Sequence, residues 1–191
     1  DERRHSGLGE PLEETSWRSR AHSAGSFGGA IFGATSANDR LDPGYGGIFG
    51  LRFGWDYDHC WGLEKRFGFA QMDVYDLQRH LHQTVNLELG DVDLLFYPWG
   101  DSRWRPYMML GAGLSHYTFQ DDTGDRLSRV LLELPFGVGV KYLYSEGILC
   151  RLDVVDNLMI GGGGGVDTMN NLSLALGLEF RFDHLRLAHR R

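Results

Sequence analysis

Residues 171–182 read NLSLALGLEFRF. Leu172, Leu174, Leu176, Leu178, Phe180 and Phe182 alternate with Asn171, Ser173, Ala175, Gly177, Glu179 and Arg181. Side chains of a strand point alternately to its two faces, so this segment separates an apolar environment from a polar one across a single layer of backbone. In a soluble barrel the apolar face would look inward and Glu179 and Arg181 would meet bulk water. In a membrane barrel the apolar face meets lipid and the charges fill the lumen. The rest of the chain decides between the two.

The chain has 191 residues, 27 of them Gly, with 13% aromatic side chains, a composition that suits one domain of closely packed strands and turns. No apolar run approaches the roughly 18 residues of a membrane-spanning helix. A barrel needs only about 9 to 11 residues per strand and exposes lipid-facing groups at every second position, so the mean hydropathy of −0.31 carries little weight. The formal net charge of −7 argues against nucleic acid as a partner, because phosphate binding wants a basic face. No signal peptide is visible at Asp1, and the expected reading is a secreted protein in mature form.

Residues 1–23 are polar and aperiodic and read as an arm, residues 24–182 as the barrel, and residues 183–191 as a basic tail. Within the barrel the pattern predicts strands at 25–35, 45–57, 60–73, 86–98, 104–118, 130–144, 148–160 and 171–182. The connections alternate long and short, from SANDRLDPG through VYDLQRHLHQT and WGDSR to SEG and GGGGGVDTMN. Outer-membrane barrels have short periplasmic turns, long outward loops and an even strand number that returns both termini to the periplasm. The expected fold is all-β: an eight-stranded antiparallel up-and-down transmembrane barrel.

The two-faced pattern recurs. Trp61, Leu63, Phe67 and Phe69 oppose Gly62, Glu64, Arg66 and Gly68, and Leu132, Leu134, Phe136, Val138 and Val140 oppose Glu133, Gly137, Gly139 and Lys141. Glycine and charge share a face, which fits a narrow lumen where small residues leave room for a few long ones. The expected lumen set is Arg52, Arg66, Lys141, Arg151 and Arg181 against Glu64, Asp91, Asp93, Glu133, Asp153 and Glu179. These charges nearly cancel, so an ion-paired plug is expected, with a charge-selective micropore as the alternative. Leu87 and Leu89 are out of step with Val92, Leu94 and Phe96, which predicts a bulge near Gly90, and Lys65 falls on the lipid face, where it needs an interface. Trp55, Tyr57, Trp61, Trp99, Trp104, Tyr142, Tyr144 and Phe182 gather at the short-turn end, as an interfacial aromatic belt does.

The segments RPYMMLGAGLSHYTF, LPFGVGVKYLYSEGILCRLDVV and NLSLALGLEFRF resemble the closing strands of small OmpA-like outer-membrane β-barrel proteins, over roughly residues 25–182. The resemblance implies a barrel inserted from the periplasm, with a terminal aromatic read by the insertion machinery. Phe182 matches that aromatic, but DHLRLAHRR follows it, a departure from a strictly C-terminal signal. No peptidoglycan-binding domain follows in this sequence.

Candidate chemistry is sparse. The GGGGG run at 161–165 lacks the Lys-Ser/Thr of a phosphate loop and reads as a loop tip. His80 and His82 have no clustered Cys or carboxylate, which leaves no metal site and no cofactor expected. Ser115 and His116 are adjacent on a strand, so they face opposite sides and cannot form a nucleophile and base. No enzymatic activity is expected. Cys60 and Cys150 open strands on opposite sides of an eight-membered ring, beyond the roughly 7 Å limit for a disulfide.

In the arm, Leu12 and Trp17 are the apolar anchors, and a neighbouring envelope protein is the favoured surface for them, the barrel's own mouth the other. Three function classes stay open. The favoured one is an outer-membrane structural or interaction protein whose arm and loops meet partners in an envelope assembly, with membrane lipid around the barrel and both termini periplasmic. The second is a narrow pore or lipid-modifying barrel enzyme. The third is a soluble lipocalin-like carrier.

Overall fold

The computed structural model describes residues 7–13, 15–33, 41–42, 44–76, 81–120, 126–161 and 168–183. Eight long strands form the body: β1 (His22–Gly33), β2 (Tyr45–Trp55), β3 (Trp61–Asp76), β4 (Leu81–Phe96), β5 (Trp104–Gln120), β6 (Arg126–Ser145), β7 (Ile148–Ile160) and β8 (Met169–Phe182). Each pairs antiparallel with its sequence neighbours, and β1 pairs with β8 from His22↔Phe182 to Gly33↔Asn171, which closes the ring. Closure pairs each of the eight long strands on both sides, the condition for a sheet to stand in hydrocarbon. A two-residue strand, Leu41–Asp42, lengthens the sheet beside Tyr75 and Asp76.

The expected eight strands are all present, but the long-loop end differs. VYDLQRHLHQT, expected as a loop, is mostly strand: β3 runs to Asp76 and β4 starts at Leu81. Similarly, β6 begins at Arg126 and not at 130. These extensions carry polar residues on both faces, so hydrophobic alternation could not mark them. The expected loop tip at 161–165 lies outside the described residues from Gly162 onward, as do His80 and the tail from His184.

The bulge expected near Gly90 is absent. Pairing runs without a break through Phe67↔Gly90 and Gly90↔Leu114. Leu87 and Leu89 are in phase with Asp91 and Asp93, and all four are buried inside the barrel. The inner face of β4 changes from apolar to charged along its length, which looked in the sequence like a change of phase. Among the described residues the register shifts between Leu143 and Ser145, at the end of β6.

Inside and outside are inverted relative to a soluble protein. Phe49, Phe53, Leu63, Phe67, Leu110, Val138, Leu174, Leu176 and Phe180 are exposed on the outer wall, while Arg52, Glu64, Arg66, Glu133, Lys141 and Glu179 of the same strands are buried. This arrangement excludes the carrier alternative, which needs apolar faces lining an internal cavity. An apolar belt of this extent around a closed barrel is a lipid contact surface. Lys65 is outward, between Phe53 and Val92 in the ladders and two outward positions from Trp61, close enough to the aromatic end for its ammonium to snorkel to the interface.

Leu174 tests this facing. It sits outward between Ala30 and Val154. Leu174→Arg should cost about 2 to 4 kcal/mol near mid-membrane and block stable insertion, read as loss of the compact, heat-modifiable band on a denaturing gel. Normal insertion of that variant would show the assigned outer face to be wrong.

Candidate functional site

The lumen is filled in three layers. Toward the long loops it is apolar: Phe27, Ile31, Ile48, Met72, Val85, Leu87, Leu89, Leu131 and Met159 form one buried cluster with Tyr117. This layer was not foreseen, because only the charged inward positions had been read as lumen. The Tyr117 hydroxyl accepts from Asn171 Nδ2 at 2.6 Å and meets the Met159 sulfur, so its polar atom is satisfied.

The middle layer holds ten of the eleven expected charges, Arg181 lying at the short-turn mouth, and all eleven are buried. Arg151 donates to Glu64 at 2.5 Å, to Glu179 at 2.6 Å, to Asp153 at 3.0 Å and to the Tyr107 hydroxyl at 2.6 Å. Arg52 pairs with Asp153 and lies 3.7 Å from Glu64. Lys141 donates to the Tyr97 hydroxyl at 3.0 Å and stands 3.9 Å from Glu64 and 4.0 Å from Glu179. A second knot surrounds Arg66, which forks onto Asp91 at 2.8 Å and donates to Asn157 at 2.7 Å and Glu133 at 3.4 Å, while Ser115 donates to Glu133. Asp93 stands apart: it is fully buried, and neither carboxylate oxygen has a hydrogen-bond partner among the described residues. Glycine makes the network fit, since a Cβ on Gly139 would overlap the Tyr107 hydroxyl and one on Gly111 would overlap Asp93.

The third layer closes the short-turn mouth. Ser16 caps a short 3-10 turn, Trp17–Arg20, by accepting from Arg18 N–H. The turn drives Trp17 into the mouth, where it is fully buried against Leu143 and Leu149, with Leu12 alongside. Trp17 Nε1 donates to the Ser102 carbonyl at 2.8 Å and its backbone N–H to Asp101 at 2.7 Å. The guanidinium groups of Arg105 and Arg181 lie 4.7 and 4.6 Å from its ring. Arg181 also donates to the Trp17 carbonyl and, at 3.0 Å, to that of Arg20. Arg105, absent from the expected set, is fully buried, donates to Asp56 and to the His59 carbonyl at 2.8 Å each, and stacks 3.5 Å from the Tyr97 ring.

The arm therefore corrects one expectation. Trp17 and Leu12 pack on the barrel's own mouth, the less favoured of the two surfaces expected for them. Asp101, Ser102, Arg105 and Arg181 at the mouth supply these contacts within one chain.

The eight expected interface aromatics all lie at the short-turn end. Trp61 packs on Phe96 and Trp104 on Tyr142, with ring centres 4.8 and 4.6 Å apart, and Trp55 lies 5.7 Å from Tyr57. Trp99, Tyr144 and Phe182 are exposed there. Cys60 and Cys150 form no disulfide. Burial, with the Asp58 carboxylate nearby, pushes the Cys60 thiol up from its ordinary pKa.

A second constellation lies on the outer wall at the long-loop rim. Ser115 and His116 do point to opposite faces: Ser115 is buried in the lumen and His116 is outside. His116 instead meets residues of both neighbouring strands. Its Nε2 is 2.6 Å from Ser128 Oγ and its Nδ1 is 3.4 Å from Glu88 Oε2. Sequence reading missed this set because its members are 12 and 28 residues from His116 and become neighbours only through strand register. No cluster of three or more His, Cys, Asp or Glu in position to hold a metal occurs among the described residues.

No family model and no curated protein sequence matches the chain. Solved structures do. Neisserial surface protein A superposes with a TM-score of 0.65 at 15% identity, covering 84% of this chain and 97% of its own. OprG, an outer membrane protein from Pseudomonas aeruginosa, gives 0.56 at 18% identity over 86% and 97%. Ail, the attachment invasion locus protein of Yersinia pestis, gives 0.53 at 21% identity over 85% and 99%. Closed ring, apolar outer belt, charged interior and these superpositions agree, and the fold of this chain is that of the small eight-stranded outer-membrane β-barrels.

Proposed function

We infer that this chain is a closed, non-conducting anchor of the outer membrane, a structural and interaction protein that holds its arm and its rims in fixed positions for envelope partners. The observation that carries the reading is the filled lumen. An apolar layer, an ion-paired layer and a docked arm follow one another along the axis, and an eight-stranded interior is only wide enough for side chains. The first residue of β1, His22, and the last of β8, Phe182, lie at the short-turn end, which the reading assigns to the periplasm. Trp17 and Leu12 are occupied by the barrel, so the arm surface left for an envelope partner is its outer side around the exposed Leu8.

Purified full-length protein in planar lipid bilayers should give no steady conductance steps. Reproducible unitary steps would overturn the closed-anchor reading and establish the narrow-pore alternative. Co-purification in mild detergent identifies partners, and substitution of Leu8 by Glu should release those held through the arm.

A further inference from the structure

The outer wall offers a site independent of the lumen. Three adjacent rows of outward residues cross β3 to β6 at the long-loop end. The lowest, Phe67, Gly90, Leu114 and Leu132, is apolar or lacks a side chain. The highest, Gln71, Asn86, Thr118 and Ser128, is polar. The row between them, Phe69, Glu88, His116 and Val130, is where the apolar belt ends. His116 bridges Ser128 above and Glu88 beside it, at 2.6 and 3.4 Å.

This is the order of parts that activates a hydroxyl: a serine bonded to an imidazole nitrogen, whose other nitrogen is held by a carboxylate. Thr118, directly opposite Ser128 in the ladder, places a second hydroxyl beside the serine, and Asn86, directly opposite Thr118, puts a carboxamide one strand further along the same row. Below His116 the missing side chain of Gly90 opens a groove of about 270 Å³ between Phe67, Phe69, Leu114 and Val130, with Glu88 and His116 at its upper end. The groove faces the hydrocarbon and the hydroxyl stands at its polar edge. An acyl chain lying along the wall would bring its ester to that level.

We propose that Ser128, His116 and Glu88 form an esterase site for O-acyl chains of membrane lipid, with the Gly90 groove holding the chain. Ser128 Oγ attacks the ester carbonyl carbon while His116 Nε2 takes the hydroxyl proton. The tetrahedral intermediate collapses, the C–O bond to the lipid alcohol breaks, and the alcohol leaves with the proton from His116. Water, deprotonated by His116, then attacks the acyl-serine, releasing the fatty acid and restoring the Ser128 hydroxyl. Glu88 is a positioning residue that accepts from Nδ1–H and fixes the tautomer. Nothing in this cycle uses the lumen, so it is compatible with a closed barrel.

The test uses the full chain in detergent micelles, with a long-chain alkyl fluorophosphonate as trap and p-nitrophenyl laurate and phosphatidylethanolamine as substrates. Ser128 should carry the phosphonyl group in a peptide mass map, and fatty acid should be released from both substrates. Ser128→Ala and His116→Ala should lower the rate at least a hundredfold and abolish labelling, with unchanged heat-modifiable migration. Glu88→Gln should lower kcat about tenfold or more and shift its pH profile, whereas a merely structural carboxylate would leave the profile in place. A Cβ at Gly90 meets only ordinary contact with Phe67, and the rest of a leucine there enters the groove on the lipid face, so Gly90→Leu should fold. It should cut laurate hydrolysis relative to acetate at least tenfold. Labelling at another serine, or a folded wild-type protein that neither labels nor releases fatty acid, would overturn the proposal.

Discussion

Trp17→Ala should release the arm from the barrel mouth while leaving the barrel inserted. Trp17 has no exposed surface, and truncating a buried Trp costs about 3 to 5 kcal/mol. It also loses the indole bond to Ser102 and removes the ring between Arg105 and Arg181. The β1–β8 seam closes the ring without the arm, so heat-modifiable migration should persist. Trypsin reports the docking directly, because Arg18 and Arg20 flank the anchor. At about 1.4 kcal/mol per factor of ten, cleavage there should accelerate by about two orders of magnitude or more. An unchanged cleavage rate would mean that the arm is held elsewhere.

How far the sequence could be read depends on which face carried the signal. The outer wall was legible almost throughout, because lipid contact demands an apolar residue at every second position and β8 meets that demand from Leu172 to Phe182. Strand number and the ring order followed from it. The charged lumen set was legible for the same reason in reverse, since Arg52, Glu64, Arg66 and their partners occupy the alternate positions. The apolar half of the lumen was not. Leu87 and Leu89 are apolar on the inner face, and alternation alone cannot distinguish that from a slip in register. Where polar and apolar residues mix on each face, as in the run Asp73, Val74, Tyr75, Asp76 at the end of β3, no periodic signal remains and the strand end was placed too early.

Contacts between distant segments were less legible still. Trp17 and Leu12 stood out as anchors from composition, but nothing local to residues 1–23 says that Ser102, Arg105 and Arg181 wait at the mouth. The rim set is a sharper case. Ser115–His116 is adjacent in sequence and separated by the sheet, whereas Glu88, His116 and Ser128 are distant in sequence and joined by it. Only the register Glu88↔His116 and Thr118↔Ser128 brings them together.

Arg151→Met should be the most damaging change inside the barrel. Arg151 is fully buried at its side chain and donates to Glu64, Glu179, Asp153 and Tyr107 together. Removing one partner of a buried ionic group strands the others, at a cost of about 3 to 5 kcal/mol. Arg52 and Lys141 remain, but Lys141 lies 3.9 Å from Glu64 and 4.0 Å from Glu179, too long to replace two short charge-assisted bonds. Urea unfolding of the barrel in lipid vesicles measures the loss. Adding Glu64→Gln and Glu179→Gln to Arg151→Met should recover most of it, because the penalty comes from stranded charge and not from lost volume. The size of the penalty also reports on the lumen itself. Charges in a water-filled passage are screened, and an exposed pair contributes at most about 1 kcal/mol. A loss of several kcal/mol that the double neutralisation reverses belongs to a dry, closed interior. A loss under about 1 kcal/mol would mean that water reaches Arg151, and the anchor reading would give way to the pore.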